Sequence, residues 1–427
     1  MKNKLVLLTK HYPFGKTETY LNNEIPFLLS AFDVIIIVPI EEFDYDDLNH
    51  LCYNNPRINV IKINQFNSRL NLWGRLKIQL YALLDILREI VKGRESIQHL
   101  KHFRMCFVYS KLTYQQAYSL NIKLSGEGDI DQYSLYSYWL HKSVLVLRGL
   151  QKWSKKKLHV VSRAHSSDLY HRNWSEIMRI SDGGFMPFEQ TKLKTCDEIF
   201  TISEHGLQHL NQYFPTYNRK FKLSRLGVLP PPHLSPVHDW QKFRIVTCSA
   251  IQPHKRIYRI PEILALLTDI KIEWVHFGSG STNDVLILNQ EIEKYGLEKN
   301  VIFKDHVAHE EIIRFYSNEQ VNLILNLSYA EGIPVSLMEA ISAGIPAIAT
   351  NAVGNPEIID ARCGFLIPVE FTATEVAEKI RNLYHDKELQ VKLRYGAVAM
   401  YEERYTAEIN YKNFAVALRL ESGLEIS

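Results

Sequence analysis

The sequence has 427 residues, of which 46% are hydrophobic and 23% charged, and its formal net charge is +3. This length exceeds what one ordinary hydrophobic core organises and favours two domains of roughly 200 residues each. The near balance of charge excludes the overall positive field of a nucleic-acid-binding protein. Five scattered cysteines without a CxxC pair give no sign of a zinc site or a disulfide framework, so we expect reduced thiols.

The N-terminal residues, MKNKLVLLTKHYPFG, contain an apolar run of only four residues. Such a run is typical of a β-strand and is too short for the apolar part of a signal peptide. No stretch approaches the roughly 18 apolar residues that a membrane-spanning helix needs. We therefore expect a cytoplasmic protein that does not cross a membrane.

Strands and helices are predicted to alternate in the first half of the chain. The apolar run VIIIV at 34–38 is typical of a strand that is buried on both faces. It follows a strand at 5–9, a glycine-containing loop and a helix at 21–30, an order that opens a βαβ unit. Further strands are predicted at 133–140, 159–163 and 198–202.

Residues 69–112 contain no proline and predict one or two amphipathic helices with a basic face. The leucines that recur at helical spacing are Leu72, Leu76, Leu80, Leu83, Leu84 and Leu87. One interpretation is a helix that packs on its own domain. The other is a surface that rests on an anionic membrane. The two are compatible, and the sequence leaves both open.

Four prolines within residues 230–236 predict a linker, because they cannot continue a helix or a central strand. The alternation then restarts. Strands are predicted at 243–249, 272–277, 300–303, 321–327 and 347–350, and helices at 257–267, 281–295, 310–317 and 335–342. Two such halves predict an α/β protein with two doubly wound domains, in which ligands lie beyond the carboxyl ends of the strands.

The stretch from Leu327, LSYAEGIPVSLMEAISAGIPAIATNAVGNPEII, is the richest in chemistry. Glu331 and Gly332 lie in a loop after a strand, and Pro334 suits the first turn of the following helix. The start of that helix offers free N–H groups and a positive dipole end to a phosphate. Glu339 lies further along the helix, on the order of 10 Å from Glu331. This spacing suits the two ends of a nucleotide sugar.

This stretch resembles the donor motif of the family-4 glycosyltransferases, which have the GT-B fold and retain the anomeric configuration. The resemblance implies that Glu331 contacts hydroxyls of the donor sugar and that Glu339 binds the ribose. It also implies that backbone N–H groups around Ile333 to Val335 hold the diphosphate, in a donor-binding loop that includes Gly332 and Pro334. In this family an arginine and a lysine five residues later neutralise that diphosphate.

The segment TCSAIQPHKRI at 247–257 matches the basic part of this motif only in part. Lys255 occupies the lysine position, but Ala250 stands where the family has its arginine. Because neutralisation of the leaving group is a large electrostatic contribution, another cation should replace it. Arg256 and Arg225 are the candidates.

Two glycine loops complete the expected donor site. Gly278, in HFGSG, matches a family loop near the donor, and Asn283 replaces the third glycine that a nicotinamide fingerprint requires. The base is expected to contact the backbone around Asp305 to Val307. In the first half, HYPFGKTETY resembles the family's first glycine loop, where Gly15 lets the backbone approach the sugar and diphosphate.

The segment VSRAHSSDLY at 161–170 resembles the family's histidine loop. It implies that His165 lies near the reactive carbon of the sugar, with Arg163 and Asp168 beside it. The segments YSYWL at 136–140 and YEERYTAEINYKNF at 401–414 resemble the subgroup that builds capsules and exopolysaccharides. The second of these is similar to the C-terminal helix that crosses back to the first domain.

The expected architecture is therefore a GT-B pair of Rossmann-like domains facing a central cleft. Residues 1–228 form the acceptor-side domain, 229–400 the donor-binding domain, and 401–427 the returning helix. The resemblance implies hexosyl transfer without a protein nucleophile, in which the leaving phosphate accepts the acceptor's proton while His165, Lys255 and Glu331 serve catalysis. No metal and no cofactor beyond the nucleotide-diphosphate sugar are expected, since Asp44 and Asp46 suit a solvated turn.

The expected partners are a nucleotide sugar and a glycan, lipid-linked at the inner face of an anionic membrane, with peripheral contact to that membrane. Two alternatives remain at this stage. One is an epimerase or phosphorylase of the same fold. The other is a non-catalytic nucleotide- or glycan-binding homologue, which Ala250 keeps open.

Overall fold

The computed structural model describes residues 3–15, 18, 20–41, 55–63, 70–93, 96–126, 130, 133–170, 185–238 and 242–421. The aspartates of the predicted turn at 44–47 lie outside these residues. The chain forms two compact units. Unit 1 comprises Met1–Ser224 and Tyr411–Ser427, and unit 2 comprises Arg225–Asn410.

Unit 1 is built on parallel strands in the sheet order β3-β2-β1-β4-β5-β6-β7. The strands are β1 (Lys4–Thr9), β2 (Val34–Pro39), β3 (Ile58–Val60), β4 (Tyr133–Ser137), β5 (Val160–Ala164), β6 (Glu198–Thr201) and β7 (Phe221–Leu223). The helices are α1 (Leu21–Ala31), α2 (Leu72–Lys92), α3 (Ser96–Lys101), α4 (Phe103–Ser125), α5 (Lys142–Ser154), α6 (Ser166–Leu169), α7 (Glu189–Thr195) and α8 (Glu204–Tyr213). Strands β4 and β5 are buried along their whole length, as expected of a parallel sheet that helices cover on both faces.

Unit 2 has a second parallel sheet in the order β10-β9-β8-β11-β12-β13. Its strands are β8 (Lys242–Cys248), β9 (Lys271–Phe277), β10 (Val301–Phe303), β11 (Leu323–Asn326), β12 (Ala347–Thr350) and β13 (Gly364–Ile367). Its helices are α9 (Ile260–Leu264), α10 (Thr282–Lys294), α11 (His309–Asn318), α12 (Val335–Ser342), α13 (Asn355–Ile358), α14 (Ala373–His385) and α15 (Lys387–Arg404). The last helix, α16 (Ala407–Glu421), begins in unit 2 and continues into unit 1.

The chain enters unit 2 at Arg225, before the expected boundary at 229, and returns to unit 1 at Tyr411 rather than at 401. Residues 401–410 stay with unit 2 because Val228 forms a parallel bridge with Thr406. In addition, the Tyr401 hydroxyl donates to the carbonyl of Val228 at 3.1 Å. These contacts hold both chain segments to the same unit.

The proline-rich stretch predicted as a linker is packed onto unit 2. Ser235 is buried, its backbone N–H donates to the carbonyl of Ala343 at 2.9 Å, and its hydroxyl donates to the carbonyl of Glu319 at 3.0 Å. The guanidinium of Arg394 also bonds the carbonyl of Ser235. The prolines therefore shape an ordered edge of unit 2 rather than a free connection.

The C-terminal helix α16 is fastened to the core of unit 1 by a buried charge and an aromatic ring. Arg163 on β5 pairs with Glu24 of α1 at 2.7 Å, and both side chains are buried. The ring of Phe414 lies 3.9 Å from the Arg163 guanidinium carbon and also packs on Tyr136 and Phe200. Arg163 thus stabilises the core of unit 1, because Glu24 neutralises its charge.

The predicted amphipathic segment forms three helices, α2, α3 and α4, that pack on one another. Within the described residues, no helix is long and apolar enough to cross a bilayer.

Replacing Phe414 by alanine should destabilise unit 1 by about 3–5 kcal/mol, because the change removes a buried ring and leaves a cavity beside a buried ion pair. Hydrogen exchange of the β4 and β5 amides under native conditions would report the loss. Val416→Ala, on an exposed part of the same helix, should leave the exchange within about 0.5 kcal/mol of the wild type. Equal exchange in both variants would contradict the role given to Phe414.

Candidate functional site

The strand order of unit 2 reverses between β8 and β11, which lie side by side although three helices and two strands separate them in sequence. Loops that follow two such strands diverge to opposite faces of the sheet and leave a crevice at their carboxyl ends. Lys255 lies in the loop after β8, and Glu331 in the loop after β11. The two loops are joined directly, since the N–H of Tyr329 donates to the carbonyl of His254 at 2.7 Å.

Glu331 is held in a fixed position at this crevice. Its Oε1 atom accepts hydrogen bonds from Lys255 Nζ at 2.6 Å, from Ser328 Oγ at 2.6 Å and from Asn326 Nδ2 at 3.3 Å. A nearly buried carboxylate is tolerated here because an ammonium and two neutral donors compensate its charge. The structure therefore brings together two of the residues that the sequence analysis assigned to the donor site.

The loop from Gly332 to Pro334 leads into an uncapped helix start. The backbone of Gly354 lies so close to this loop that a Cβ on it would be 1.9 Å from the carbonyl oxygen of Gly332. Ile333 is buried, Pro334 is the N-cap residue rather than part of the first turn, and α12 begins at Val335. No side chain caps this start. The N–H of Leu337 donates to the carbonyl of Pro334 at 3.1 Å, which leaves the N–H groups of Val335 and Ser336 available to an anion.

Glu339 of α12 has a partner that the sequence analysis missed. His309, the first residue of α11, bonds Glu339 Oε1 through Nε2 at 2.7 Å. This hydrogen bond to the carboxylate raises the pKa of His309 above its ordinary value, against the opposing effect of burial. The sequence does not reveal this contact, because a strand and two loops separate α11 from α12 and only the fold brings the two residues together.

Arg256, one of the two cations expected to replace the missing arginine, is engaged elsewhere. Its buried guanidinium donates to the carbonyls of Leu327 at 2.7 Å, Val369 at 2.8 Å and Ser328 at 3.3 Å. It also lies over the ring of Phe371. Arg256 therefore holds the loop that carries Glu331, and a role on phosphate would require it to give up these bonds.

Arg225, the other candidate cation, is half-buried and interacts with the hydroxyl of Tyr405. That hydroxyl in turn donates to the carbonyl of Glu357 at 2.7 Å. Ala250 is exposed in the loop after β8. At the crevice of unit 2, the cation that the described residues bring to Glu331 is Lys255.

Gly278 is required where the ends of β8, β9 and β10 meet. Its φ is +134°, and a Cβ would lie 2.0 Å from the carbonyl oxygen of Ser249. Its N–H donates to the carbonyl of Asp305 at 2.8 Å. This packing shapes the loop that contains Val307, a half-buried residue just before α11. The close approach of Ser249 therefore requires a glycine at position 278, in addition to the expected place of this loop near the donor.

In unit 1 the strand order reverses between β1 and β4, and the glycine loop follows β1. Gly15 is exposed in this loop with φ +70°, a conformation that favours glycine. The buried Glu18 organises the loop, accepting from the N–H groups of His11 and Tyr12, each at 2.7 Å. It also accepts from Trp139 Nε1 after β4 at 2.5 Å. Glu18 therefore ties the two loops of this crevice together, a role that its sequence position did not reveal.

His165 follows β5 and is buried among Tyr20, Tyr138 and Trp139. Burial, together with the smaller effect of the Arg163 charge, lowers its pKa to about 3. Its Nε2 atom is buried without a hydrogen-bond partner among the described residues. The ring is therefore neutral near pH 7 and offers one hydrogen-bonding atom rather than a titrating acid.

Asp168 fixes the loop that carries His165. One of its oxygens accepts from the N–H groups of His165 at 2.9 Å and Leu140 at 3.2 Å. Burial raises the pKa of Asp168 to about 6 despite these bonds. Metal ligands are not assembled near these groups, since the described residues contain no cluster of three or more His, Cys, Asp or Glu side chains that could hold a metal ion.

Comparison with known proteins confirms the fold and finds a family match for part of unit 2. Residues 235–400 match the family model of the glycosyl transferases group 1, and this stretch contains Lys255, Glu331 and Glu339. HepE of Anabaena, solved in complex with UDP and glucose, superposes on 98% of this chain and 99% of its own with a TM-score of 0.67 at 16% identity. The expected α/β fold with two Rossmann-like domains of the GT-B class is thereby confirmed.

Two relatives match parts of the sequence. The GtfA subunit of the UDP-N-acetylglucosamine–peptide N-acetylglucosaminyltransferase of Streptococcus gordonii is 25% identical over 60% of this chain and 50% of its own length. The amylovoran biosynthesis glycosyltransferase AmsK of Erwinia amylovora is 26% identical over 47% of this chain and 50% of its own. The chain thus spans about half the length of these relatives.

The pKa of His309 should lie above its ordinary value of about 6.5 in the wild type and fall in a Glu339→Gln variant, which no longer offers a charged acceptor. Because the folded-state pKa is raised, the pair stabilises unit 2 at low pH. That contribution is lost as the pH rises through the raised pKa. An NMR titration, with His309→Asn to assign the signal, would measure both values. Identical pKa values in the wild type and in Glu339→Gln would contradict the pairing.

Proposed function

We propose that this protein is a retaining, family-4 hexosyltransferase, which transfers a sugar from a nucleotide-diphosphate sugar to a glycan acceptor during the synthesis of a surface polysaccharide such as a capsule. The observation that carries this proposal is the pair formed by Lys255 and Glu331 at the crevice of unit 2, next to an uncapped helix start. An ammonium, a fixed carboxylate and free N–H groups suit a sugar that is linked to a diphosphate.

Donor binding would use the full length of this crevice. The diphosphate would bind the N–H groups at the start of α12, and Lys255 would add one positive charge. The free Oε2 side of Glu331 would accept hydroxyls of the sugar, and Glu339 would accept the ribose hydroxyls in place of His309. The base would lie against the backbone around Val307 and Gly278. The UDP found in HepE makes a uridine donor the first to test.

The transfer would depend on charge stabilisation rather than on a protein nucleophile. The bond between the anomeric carbon and the diphosphate breaks, the acceptor hydroxyl bonds to the same face of that carbon, and the leaving phosphate takes the hydroxyl proton. The positive end of α12 and Lys255 would stabilise the charge that develops on the diphosphate without a bound metal. His165, neutral and with Nε2 unpaired, would donate or accept one hydrogen bond to the sugar.

The acceptor is proposed to be a lipid-linked glycan at the cytoplasmic face of a membrane. Support comes from AmsK, which is named for the synthesis of the polysaccharide amylovoran. A membrane-bound acceptor would require peripheral contact between this protein and the lipid surface.

A non-catalytic nucleotide- or glycan-binding homologue is the second candidate. It is favoured by one observation, the absence of the expected arginine at Ala250 combined with the engagement of Arg256 by three backbone carbonyls. Such a protein would bind a donor without turning it over.

A matching nucleotide sugar should raise the melting temperature of the wild type, since a ligand at about 100 times its Kd stabilises by about 2.7 kcal/mol. A thermal-shift screen of UDP-, GDP- and ADP-sugars would identify the base. Glu339→Ala should abolish the shift, whereas Glu388→Ala, at an exposed position of α15, should keep it. If no nucleotide sugar stabilises the wild type, the proposed donor site is wrong.

Lys255→Met should lower kcat about 100- to 1000-fold, because it removes the cation that faces the leaving diphosphate. Lys299→Met, an exposed lysine between α10 and β10, serves as the matched control and should be unaffected. NMR of the product would give its anomeric configuration, and an inverted product would overturn retention. Donor binding without turnover by the wild type, with every candidate acceptor, would favour the non-catalytic homologue.

A further inference from the structure

Helix α2 of unit 1 exposes a stripe of large apolar side chains to solvent, although it packs its opposite side into the unit. The members of this stripe are Leu72, Trp73, Leu76, Leu80, Leu83, Leu84, Leu87 and Val91. Trp73 and Val91, near the two ends of the helix, are 73% and 74% exposed. Single exposed apolar residues are ordinary on a protein surface, but a continuous series along one helix indicates an interaction site.

The stripe occupies one face of the helix. At about 100° per residue, the eight side chains fall within an arc of roughly 120°, and the helix extends roughly 30 Å. The opposite arc contains the buried residues Ile78, Ala82 and Ile86, which face the interior of unit 1. Helix α2 therefore has two apolar faces, of which the unit itself covers only one.

Among the described residues of α2, the charged side chains that are not buried are all basic. Arg75 flanks the stripe on one side, and Lys77 flanks it on the other, next to Arg88, which is bonded to the buried Asp85 at 3.1 Å. The acidic residues of α2 are both buried and paired: Asp85 bonds Arg148 at 2.6 Å, and Glu89 accepts from the N–H of Thr191 at 2.6 Å. The exposed surface of α2 is therefore apolar and basic.

Helices α3 and α4, which pack against α2, also expose basic and apolar side chains. Helices α3 and α4 contain no acidic residue and add the cations Lys101, Arg104 and Lys111. They also expose apolar side chains, namely Ile97, Leu100, Phe103, Met105, Val108 and Leu112. We define the face formed by these side chains, the α2 stripe and its flanking cations as the α2–α4 surface.

We propose that the α2–α4 surface is a docking surface for an anionic lipid bilayer, on which α2 lies in the plane of the headgroups. An apolar arc flanked by Lys and Arg is what such an interface binds, because apolar side chains enter the acyl boundary while cations meet lipid phosphates. A second copy of this chain is disfavoured as the occupant, since its own cations would oppose those of the first.

This surface extends the proposed function by naming the partner that would bring the protein to a lipid-linked acceptor. The biological purpose of docking rests on the proposed function. The binding of the surface to anionic lipid does not, because it depends only on the side chains of the surface. Donor binding occurs in unit 2 and docking in unit 1. The two can therefore fail separately in an experiment.

The test is vesicle flotation of the full chain with phosphatidylglycerol–phosphatidylcholine vesicles and with phosphatidylcholine alone. The wild type should float with the anionic vesicles and remain unbound with the neutral ones, and high salt should weaken its binding. Trp73→Ser/Leu80→Ser/Leu84→Ser should lose binding. Arg75→Gln/Lys77→Gln/Arg104→Gln should bind on the order of 100-fold more weakly, since each cation near an anionic surface strengthens binding roughly fivefold.

Matched controls carry the same changes at exposed positions of unit 2. Leu286→Ser/Ile287→Ser/Tyr395→Ser and Lys271→Gln/Lys299→Gln/Lys392→Gln should bind anionic vesicles like the wild type. The donor-induced thermal shift should persist in every one of these variants, which separates loss of docking from loss of the donor site or of the fold.

Three results would overturn the proposal. The first is a wild type that does not float with anionic vesicles or that binds neutral ones equally well. The second is retention of binding by the serine variant of the α2 stripe. The third is a dimer in light scattering that the same serine variant dissociates, which would make a second copy the occupant.

Discussion

The candidate site depends on one hydrogen-bonded ion pair that crosses the point where the strand order of unit 2 reverses. Lys255 follows β8 and Glu331 follows β11, so their contact at 2.6 Å fixes two loops that the topology alone would leave to diverge. The loop of Glu331 leads directly into the uncapped start of α12. Arg256 bonds two carbonyls of the same loop, those of Leu327 and Ser328, and joins them to the carbonyl of Val369 after β13. The same ion pair therefore determines both the positions of the two loops and the charges at the crevice.

In unit 1 a different residue, Glu18, joins the two loops at the point where the strand order reverses. Its strand order reverses between β1 and β4, and there Glu18 joins the glycine loop to Trp139. The result is a crevice lined by aromatic rings and a neutral histidine, His165, instead of an ammonium–carboxylate pair. A Rossmann-like sheet thus supplies the place for a ligand in both units, while the residues after the strands decide which chemistry each place offers.

Strong local signals let the sequence predict the central strands and α12, but not the contacts that unite distant loops. Strands β2 and β12 are apolar and buried, so their composition reveals them. The three-residue edge strands β3 and β7 carry too short a signal to be recognised. Of the helix expected at 257–267, the first three residues form a 3-10 helix, and only Ile260–Leu264 form the α-helix α9. His309 and Glu18 were missed for a different reason: their roles arise from partners brought near by the fold.

Lys255 can compensate in part for the arginine that Ala250 replaces, because a lysine has several hydrogen-bond donors. An ammonium has three N–H donors, and Lys255 uses one of them on Glu331. It could therefore bond a phosphate oxygen while it keeps its bond to Glu331, so Lys255 itself would exchange no partner when a donor binds. In the proposed mode of donor binding, such a bridging cation would hold Glu331 and the diphosphate at a fixed separation. The start of α12 supplies the remaining positive potential through its dipole. In this arrangement the crevice depends on one cation and one helix start, so the position of Lys255 matters more than it would beside the arginine that Ala250 replaces.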